Sequence, residues 1–135
     1  MKNPLNVLIV DDQAGVRYLL EILVKESGHQ VYTAQNGVEA VEKVRILKPD
    51  LIFMDVRMPI MGGLEALGKI KKIVPTTEVV MMTAYSAEDT ATIAMQKGAM
   101  LCMSKPFDVE EVKHLLERMA STTPIYEQAC LENYA

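Results

Sequence analysis

The sequence predicts an α/β protein built on a single doubly wound, parallel sheet of five strands in the order 2-1-3-4-5, with five helices. Two observations predict this fold. Short apolar segments alternate with amphipathic helical patterns along the chain, and the links between them are short. Most of the apolar segments also lead directly into a polar side chain, which suits the carboxyl ends of parallel strands, where ligands bind.

The predicted strands are short, and all but the second are strongly apolar. Continuous apolar runs are typical of parallel strands that are buried on both faces, whereas a more polar strand is expected near a sheet edge. In chain order the predicted strands are residues 6–10, 30–34, 51–55, 78–82 and 99–103.

Each strand is followed by a helical pattern with its own start or stop signal. The first helix ends at Gly28, the second begins after Asn36, the third stops at Pro75, the fourth (87–97) stops at Gly98, and the fifth begins after Asp108. Apolar residues recur at helical spacing in these segments, though the alanine-rich fourth helix is only weakly amphipathic, so the helices are predicted to pack one face on the sheet.

Composition bounds the possible functions. The chain has 135 residues, enough for one domain, and its net charge of −4 argues against binding nucleic acid through a basic face. Its first apolar run is too short for a signal peptide or a membrane span, so a cytoplasmic location with no membrane partner is expected. Cys102 and Cys130 form neither a metal-type spacing nor a disulfide framework. His29 and His114 are expected to be solvated.

The predicted strand order brings polar residues from distant parts of the chain together. Asp11 and Asp12 follow the first strand, beside Asp55 at the end of the third, with Thr83 and Lys105 flanking them. Neighbouring carboxylates raise one another's pKa unless a cation lies among them, and oxygen ligands favour Mg²⁺, with Mn²⁺ as the alternative. A lysine and a metal can neutralise a phosphoryl group, and a carboxylate can accept it. Asp55, single and central, is the predicted nucleophile.

Four short motifs follow one another at the predicted strand ends. They are the acidic pair Asp11-Asp12, the D-x-x-M-P run at 55–59, Thr83-Ala84 and Lys105-Pro106-Phe107. In this combination the chain resembles the receiver domain of two-component response regulators, over about residues 5–119. Within that family its motifs are similar to those of the stand-alone receiver of the sporulation phosphorelay and of the receivers of enhancer-binding activators.

The resemblance implies a phosphoacceptor and a metal site. Asp55 would accept the phosphoryl group from a phosphohistidine on a sensor histidine kinase or a histidine phosphotransferase. Mg²⁺ would be held by Asp12, Asp55 and the backbone carbonyl of Arg57, with Asp11 acting mainly through bound water. The protein would then be a signalling phosphoacceptor that assists its own phosphorylation and dephosphorylation, and not an enzyme.

The resemblance also implies how the site responds to phosphorylation. Lys105 would pair with the phosphoryl group, Thr83 would move to bond it, and the peptide between Lys105 and Pro106 would be cis. Family members often carry an aromatic residue three positions before the lysine, where this chain has Cys102. Switching is therefore expected to depend on Thr83 and the loop at 84–86, which contains Ala84 and Tyr85, and not on an aromatic ring.

A partner is expected to dock beside the first helix and the loop after the last strand. The residues concerned are Gln13, Gly15, Tyr18, Pro106 and Phe107. The protein is expected to be a monomer, or a weak dimer that depends on phosphorylation.

Two other function classes remain open as alternatives. An aspartyl phosphatase or phosphotransferase needs a second carboxylate, as its acid/base, two residues after the nucleophile. This chain has Arg57 at that position. A receiver-like module that is never phosphorylated usually lacks one of the acidic pair, the acceptor or the lysine, and this chain keeps them all.

Residues 120–135 are predicted to form a C-terminal tail after a receiver domain of residues 5–119. Such a tail is too short for an output domain, so a stand-alone relay receiver is expected. The alternative is the N-terminal receiver of a longer transcriptional activator.

Overall fold

The computed structural model describes residues 4–84 and 88–121, and within them it shows a five-stranded parallel sheet in the predicted order β2-β1-β3-β4-β5. The strands are β1 (Asn6–Val10), β2 (Gln30–Ala34), β3 (Leu51–Asp55), β4 (Glu78–Thr83) and β5 (Leu101–Ser104). The helices are α1 (Ala14–Glu26), α2 (Gly37–Leu47), α3 (Gly63–Ile73), α4 (Glu88–Gln96) and α5 (Val109–Ala120). The predicted fold class is confirmed. The predicted tail lies outside the described residues from position 122 onwards.

The last strand starts later than the sequence pattern predicts, at Leu101 and not at Ala99. Gly98 has a positive φ of 105°, and the amide of Ala99 donates to the carbonyl of Ala94 at 3.0 Å. Ala99 therefore completes the C-terminal turn of α4, in the way a glycine-terminated helix closes. The strand then continues to Ser104, which pairs with Thr83.

The core consists of two apolar layers, one on each face of the sheet. Phe53 of β3 belongs to the layer shared with α1 and α5, whereas its neighbours Ile52 and Met54 belong to the layer shared with α2, α3 and α4. Successive side chains of a strand point to opposite faces, so a continuous apolar run is the pattern that a doubly covered strand requires. Asp55 ends such a strand, and is consequently held at the rim of the core with only 7% of its surface exposed.

Local signals behave largely as predicted at the helix ends. Asn36 is the N-cap of α2 and accepts a hydrogen bond from the amide of Glu39 at 2.9 Å. Asp108 caps α5, accepting from the amide of Glu110. Gly28 follows α1 with a φ of 88°, a conformation that favours glycine.

The expectation that His29 is solvated is wrong. His29 is only 7% exposed, and its Nδ1 accepts a hydrogen bond from the amide of Leu5 at 3.0 Å. The next residue, Gln30, donates its amide to the carbonyl of Leu5. The turn between α1 and β2 therefore packs against the start of β1. His114 on α5 is exposed, as expected.

Across residues 4–84 and 88–121, no helix combines the length and the apolar character needed to cross a membrane.

Candidate functional site

The predicted polar residues lie at the edge of the sheet formed by the carboxyl ends of its parallel strands. Asp11 follows β1, Asp55 is the last residue of β3, and Thr83 is the last residue of β4. Lys105 follows β5, and its amide donates to the carbonyl of Thr83 at 2.8 Å. The in-register pairing of the strands is what brings these distant residues together.

The lysine is held by two carboxylates. Its Nζ lies 2.7 Å from Oδ2 of Asp11 and 3.2 Å from Oδ1 of Asp55. The other oxygen of Asp11, Oδ1, accepts a hydrogen bond from the amide of Gln13 at 2.9 Å. Both oxygens of the fully buried Asp11 thus have partners, and Lys105 is bound more closely to Asp11 than to Asp55.

A cluster of carboxylates fits a divalent cation. Asp11, Asp12 and Asp55 each offer one carboxylate oxygen, and these oxygens lie within 4.8 Å of one another. Asp12 is exposed whereas the other two are buried. A cavity of about 250 Å³ opens beside them and is lined by Asp12, Gln13, Asp55, Arg57, Thr83, Ala84 and Lys105. Hard oxygen donors beside a water-accessible cavity suit Mg²⁺, which keeps several of its waters.

The charges of the site favour a bound cation. Burial raises the pKa of the Asp55 carboxyl, the negative charge of Asp11 raises it further, and Lys105 opposes both effects. Burial also lowers the pKa of Lys105, but its hydrogen bond to Asp11 and the charges of both carboxylates outweigh burial and raise that pKa overall. Lys105 therefore stays protonated, and a cation among the carboxylates would favour the ionised form of Asp55.

The loop after β3 brings α3 directly against the end of that strand. The amide of Gly63 donates to the carbonyl of Val56 at 2.8 Å. A Cβ built at Gly63 would lie 2.1 Å from the carbonyl oxygen of Asp55. Glycine is therefore required at this position, and its close approach holds the backbone of Asp55 in place. The sequence alone marked Gly62 and Gly63 only as a turn.

We expect Gly63→Ala to lower the free energy of unfolding by about 2–3 kcal/mol, because the added methyl group must displace backbone. The matched control is Gly68→Ala in the same helix, where the nearest atom to the added Cβ is Nζ of Lys97 at 3.7 Å. This control should be more stable than the wild type by about 0.5–1 kcal/mol, because alanine is the better helix former. Urea denaturation of the metal-free proteins measures both changes. Equal stability of the two variants would contradict the close approach.

The predicted switch residues are only partly described. Ala84 is exposed and lines the cavity, whereas Tyr85 and the rest of its loop through residue 87 lie outside the described residues. Cys102 is half-buried in β5, paired with Met81 of β4, and burial raises the pKa of its thiol. The peptide between Lys105 and Pro106 is cis, as the resemblance implied.

A second cavity of about 410 Å³ lies between α1 and the loop after β5. We call it the α1 groove, and its lining residues are Gln13, Gly15, Val16, Leu19, Ala84, Lys105, Pro106 and Phe107. It contains every residue of the predicted partner surface except Tyr18, which is 67% exposed on α1. Val16 and Leu19 belong to the apolar helical stripe of α1, a pattern that predicts packing on the sheet. Leu19 is instead 42% exposed.

Arg17 of α1 also contacts the acidic loop. Its Nη1 donates to the backbone carbonyl of Asp11 at 2.6 Å. No spacing in the sequence could predict this contact, because it depends on how the first turns of α1 meet the loop after β1.

Known proteins match the chain over most of its length. A family model described as the response regulator receiver domain matches residues 7–117. Sporulation initiation phosphotransferase F of Bacillus subtilis is 37% identical over 112 residues, covering 83% of this chain and 90% of that protein. The DNA-binding transcriptional regulator NtrC of Escherichia coli is 40% identical over 115 residues, covering 85% of this chain but 24% of that protein. Among solved structures, the receiver domain of NtrX from Brucella abortus has a TM-score of 0.79 and 30% identity, covering 87% of this chain and 99% of that domain.

Proposed function

Because this chain belongs to the response regulator receiver family, we propose that it is a signalling switch that accepts a phosphoryl group on Asp55. The donor would be a phosphohistidine on a sensor histidine kinase or a histidine phosphotransferase. One observation carries the proposal: Asp55 lies 3.2 Å from the Lys105 ammonium, in a cavity that it shares with the exposed Asp12.

The transfer exchanges one bond to phosphorus for another. An oxygen of Asp55 attacks the phosphorus, the phosphorus–nitrogen bond of phosphohistidine breaks, and the electron pair of that bond stays on the imidazole. Lys105, which the carboxylates keep protonated, then faces the negative oxygens of the new acyl phosphate. Thr83, buried at the end of β4, would move its hydroxyl to bond one of them.

The metal would be held by the residues that already converge. We assign it to Asp12, Asp55 and the backbone carbonyl of Arg57, with Asp11 acting through water. Mg²⁺, or Mn²⁺ in its place, would neutralise charge on the phosphoryl oxygens. The support for this assignment is the donor set: the carboxylate oxygens lie within 4.8 Å of one another, and Arg57 lines the same cavity.

The protein carrying the histidine would dock on the α1 groove and on the adjoining surface of α1. Three residues, Gln13, Ala84 and Lys105, line both the groove and the acidic cavity. A partner helix that covers Gly15, Tyr18, Pro106 and Phe107 would therefore place its histidine next to Asp55.

We expect Leu19→Glu to slow phosphotransfer from the phosphorylated partner about tenfold or more, because a buried contact would be replaced by a charge. Labelling by a small phosphodonor, which needs no groove, should change far less. The control is Ile46→Glu on α2, which is 81% exposed and lies outside the groove lining. Quenched time courses of phosphotransfer measure each rate. An equal loss of the phosphotransfer rate in Leu19→Glu and Ile46→Glu would contradict docking at the groove.

The switch would depend on Thr83 and the loop that starts at Ala84 and contains Tyr85. Cys102 lies outside the lining of the acidic cavity, which supports a minor role for this residue in the response to phosphorylation. We expect Cys102→Ser to change the response of the partner to phosphorylation less than twofold, whereas Thr83→Ala should remove most of it. Partner-binding titrations with phosphorylated protein measure this, and loss of the response in Cys102→Ser would reverse the order of importance.

We propose residues 5–119 as the receiver unit, followed by a tail at 120–135. We also propose that the protein is cytoplasmic, and that it is a monomer or a weak phosphorylation-dependent dimer. A stand-alone relay receiver is supported by the match to nearly all of phosphotransferase F, 90% of its length. The second candidate, the receiver of a longer activator, is supported by the 40% identity to NtrC, of which the chain spans only 24%.

Incubating the protein with a small phosphodonor and Mg²⁺, followed by intact-mass measurement, tests the proposed function. One phosphoryl group per chain is expected, and none when the metal is chelated. Absence of labelling in Mg²⁺ would favour the non-phosphorylated module, and release of phosphate at enzymatic turnover rates would favour a phosphatase.

A further inference from the structure

Arg17 holds the one peptide that links the two acidic residues of the loop after β1. Its Nη1 donates to the carbonyl oxygen of Asp11 at 2.6 Å, and that carbonyl belongs to the peptide that carries the amide of Asp12. Arg17 lies outside the lining of both cavities. It therefore acts on the site through the backbone and not by touching a bound group.

The other polar atoms of Asp11 are already held by separate partners. Its amide donates to the carbonyl of Ala34 at 3.1 Å, and its carboxylate is held by Lys105 and by the amide of Gln13. With Asp11 anchored in this way, the bond from Arg17 determines the plane of the next peptide. That plane sets the direction in which the exposed Asp12 leaves the loop.

The position of Arg17 is unfavourable for the helix that carries it. It lies near the N-terminus of α1, which has no acidic residue in its first turn and no side-chain cap. A cation there meets the positive end of the helix dipole. The compensating negative groups lie in other elements. One is the Asp11 carbonyl, and another is Glu39 of α2. A hydrogen bond from the Gln35 amide lowers the pKa of Glu39, burial opposes this effect, and the charges of Lys43 and Arg17 lower the pKa further.

We propose that Arg17 is a positioning residue for the metal site: it orients the peptide between Asp11 and Asp12 so that Asp12 joins Asp55 around a divalent cation. This inference rests on the proposed function. If Arg17 positions the site, its removal should change the affinity for Mg²⁺ in the direction opposite to that expected from the loss of its charge alone. A cation near the carboxylates competes electrostatically with Mg²⁺, so removing a mere charge would tighten metal binding, whereas removing a positioning group weakens it.

The test measures the Mg²⁺ dissociation constant of the full chain by calorimetry, at a temperature where each protein is folded. Arg17→Met, which keeps an unbranched stem about as long as the aliphatic part of arginine but lacks donors and charge, should weaken binding about tenfold, as expected for residues that orient metal ligands. Arg17→Lys should recover part of the loss, because its ammonium keeps a hydrogen-bond donor for the Asp11 carbonyl but lacks the planar donor group of arginine. The control is Lys25→Met, which removes an exposed cation of the same helix and should bind as the wild type does.

A second readout follows the ligand itself. In a Mg²⁺ titration followed by NMR, the amide of Asp12 should shift at a higher metal concentration in Arg17→Met than in the wild type. Unchanged or tighter binding in Arg17→Met would overturn the inference. If that variant does not fold, wild-type affinity in Arg17→Lys overturns it, and a several-fold loss supports it. Failure of the wild type itself to bind Mg²⁺ would instead contradict the proposed function.

Discussion

An Asp55→Asn variant is expected to gain no phosphoryl group from a small phosphodonor in Mg²⁺, under conditions in which the wild-type chain gains one. The amide has nearly the same shape as the carboxylate but lacks its nucleophilic charge. We expect neither of the other two carboxylates to replace it. Asp11 has no exposed surface, and Asp12 lines the cavity without an ion pair to Lys105. Asp55 is both accessible from the cavity and paired with the lysine.

The control for this variant is Asp50→Asn, at the opposite end of β3. Asp50 is exposed, and its Oδ2 accepts a hydrogen bond from the amide of Asn6 at 2.8 Å. The change removes the same charge from the chain but leaves the carboxyl edge of the sheet intact, so wild-type labelling is expected. Intact mass and peptide mapping measure both variants. Labelling of Asp55→Asn at the wild-type rate would show that another residue is the acceptor.

The two members of the acidic pair are expected to respond in opposite ways to replacement by alanine. Asp11→Ala removes the closer partner of Lys105 and the acceptor for the amide of Gln13. In the metal-free protein this should lower the free energy of unfolding by about 3 kcal/mol, since a buried ion pair loses one partner. Asp12→Ala removes an exposed charge that repels Asp55, so its metal-free stability should equal or exceed that of the wild type.

Saturating Mg²⁺ should stabilise the wild type more than it stabilises Asp12→Ala. A ligand at a hundredfold excess over its dissociation constant stabilises the folded protein by about 2.7 kcal/mol. The wild type should show a gain of that order, and Asp12→Ala should lose most of it. Urea denaturation with and without Mg²⁺ measures the difference. Equal Mg²⁺ effects in the wild type and in Asp12→Ala would show that the ion binds elsewhere. Equal metal-free stability of Asp11→Ala and Asp12→Ala would contradict the different contributions to stability that we infer from their burial.

The architecture and the members of the acidic site could be predicted from the amino-acid sequence. Each depends on local patterning: an apolar run followed by a polar residue marks the end of a buried strand, as at Asp55 and Thr83. Parallel strands joined by short helical crossovers leave few topologies, and the order 2-1-3-4-5 gathers those strand ends at one edge. The convergence of Asp11, Asp55 and Lys105 could therefore be expected before any contact was known.

Tertiary packing alone decided how those residues are held. The pairing of Lys105 with Asp11, which are 94 positions apart, depends on how the lysine side chain in the loop after β5 reaches across the carboxyl edge of the sheet to the loop after β1. His29 is buried because its turn packs against Leu5, 24 positions earlier. The need for glycine at position 63, and the partial exposure of Leu19, likewise follow from where a helix meets the sheet. Such contacts carry no periodic signal, because they join residues whose sequence separation is set by the fold and not by the geometry of a helix or a strand.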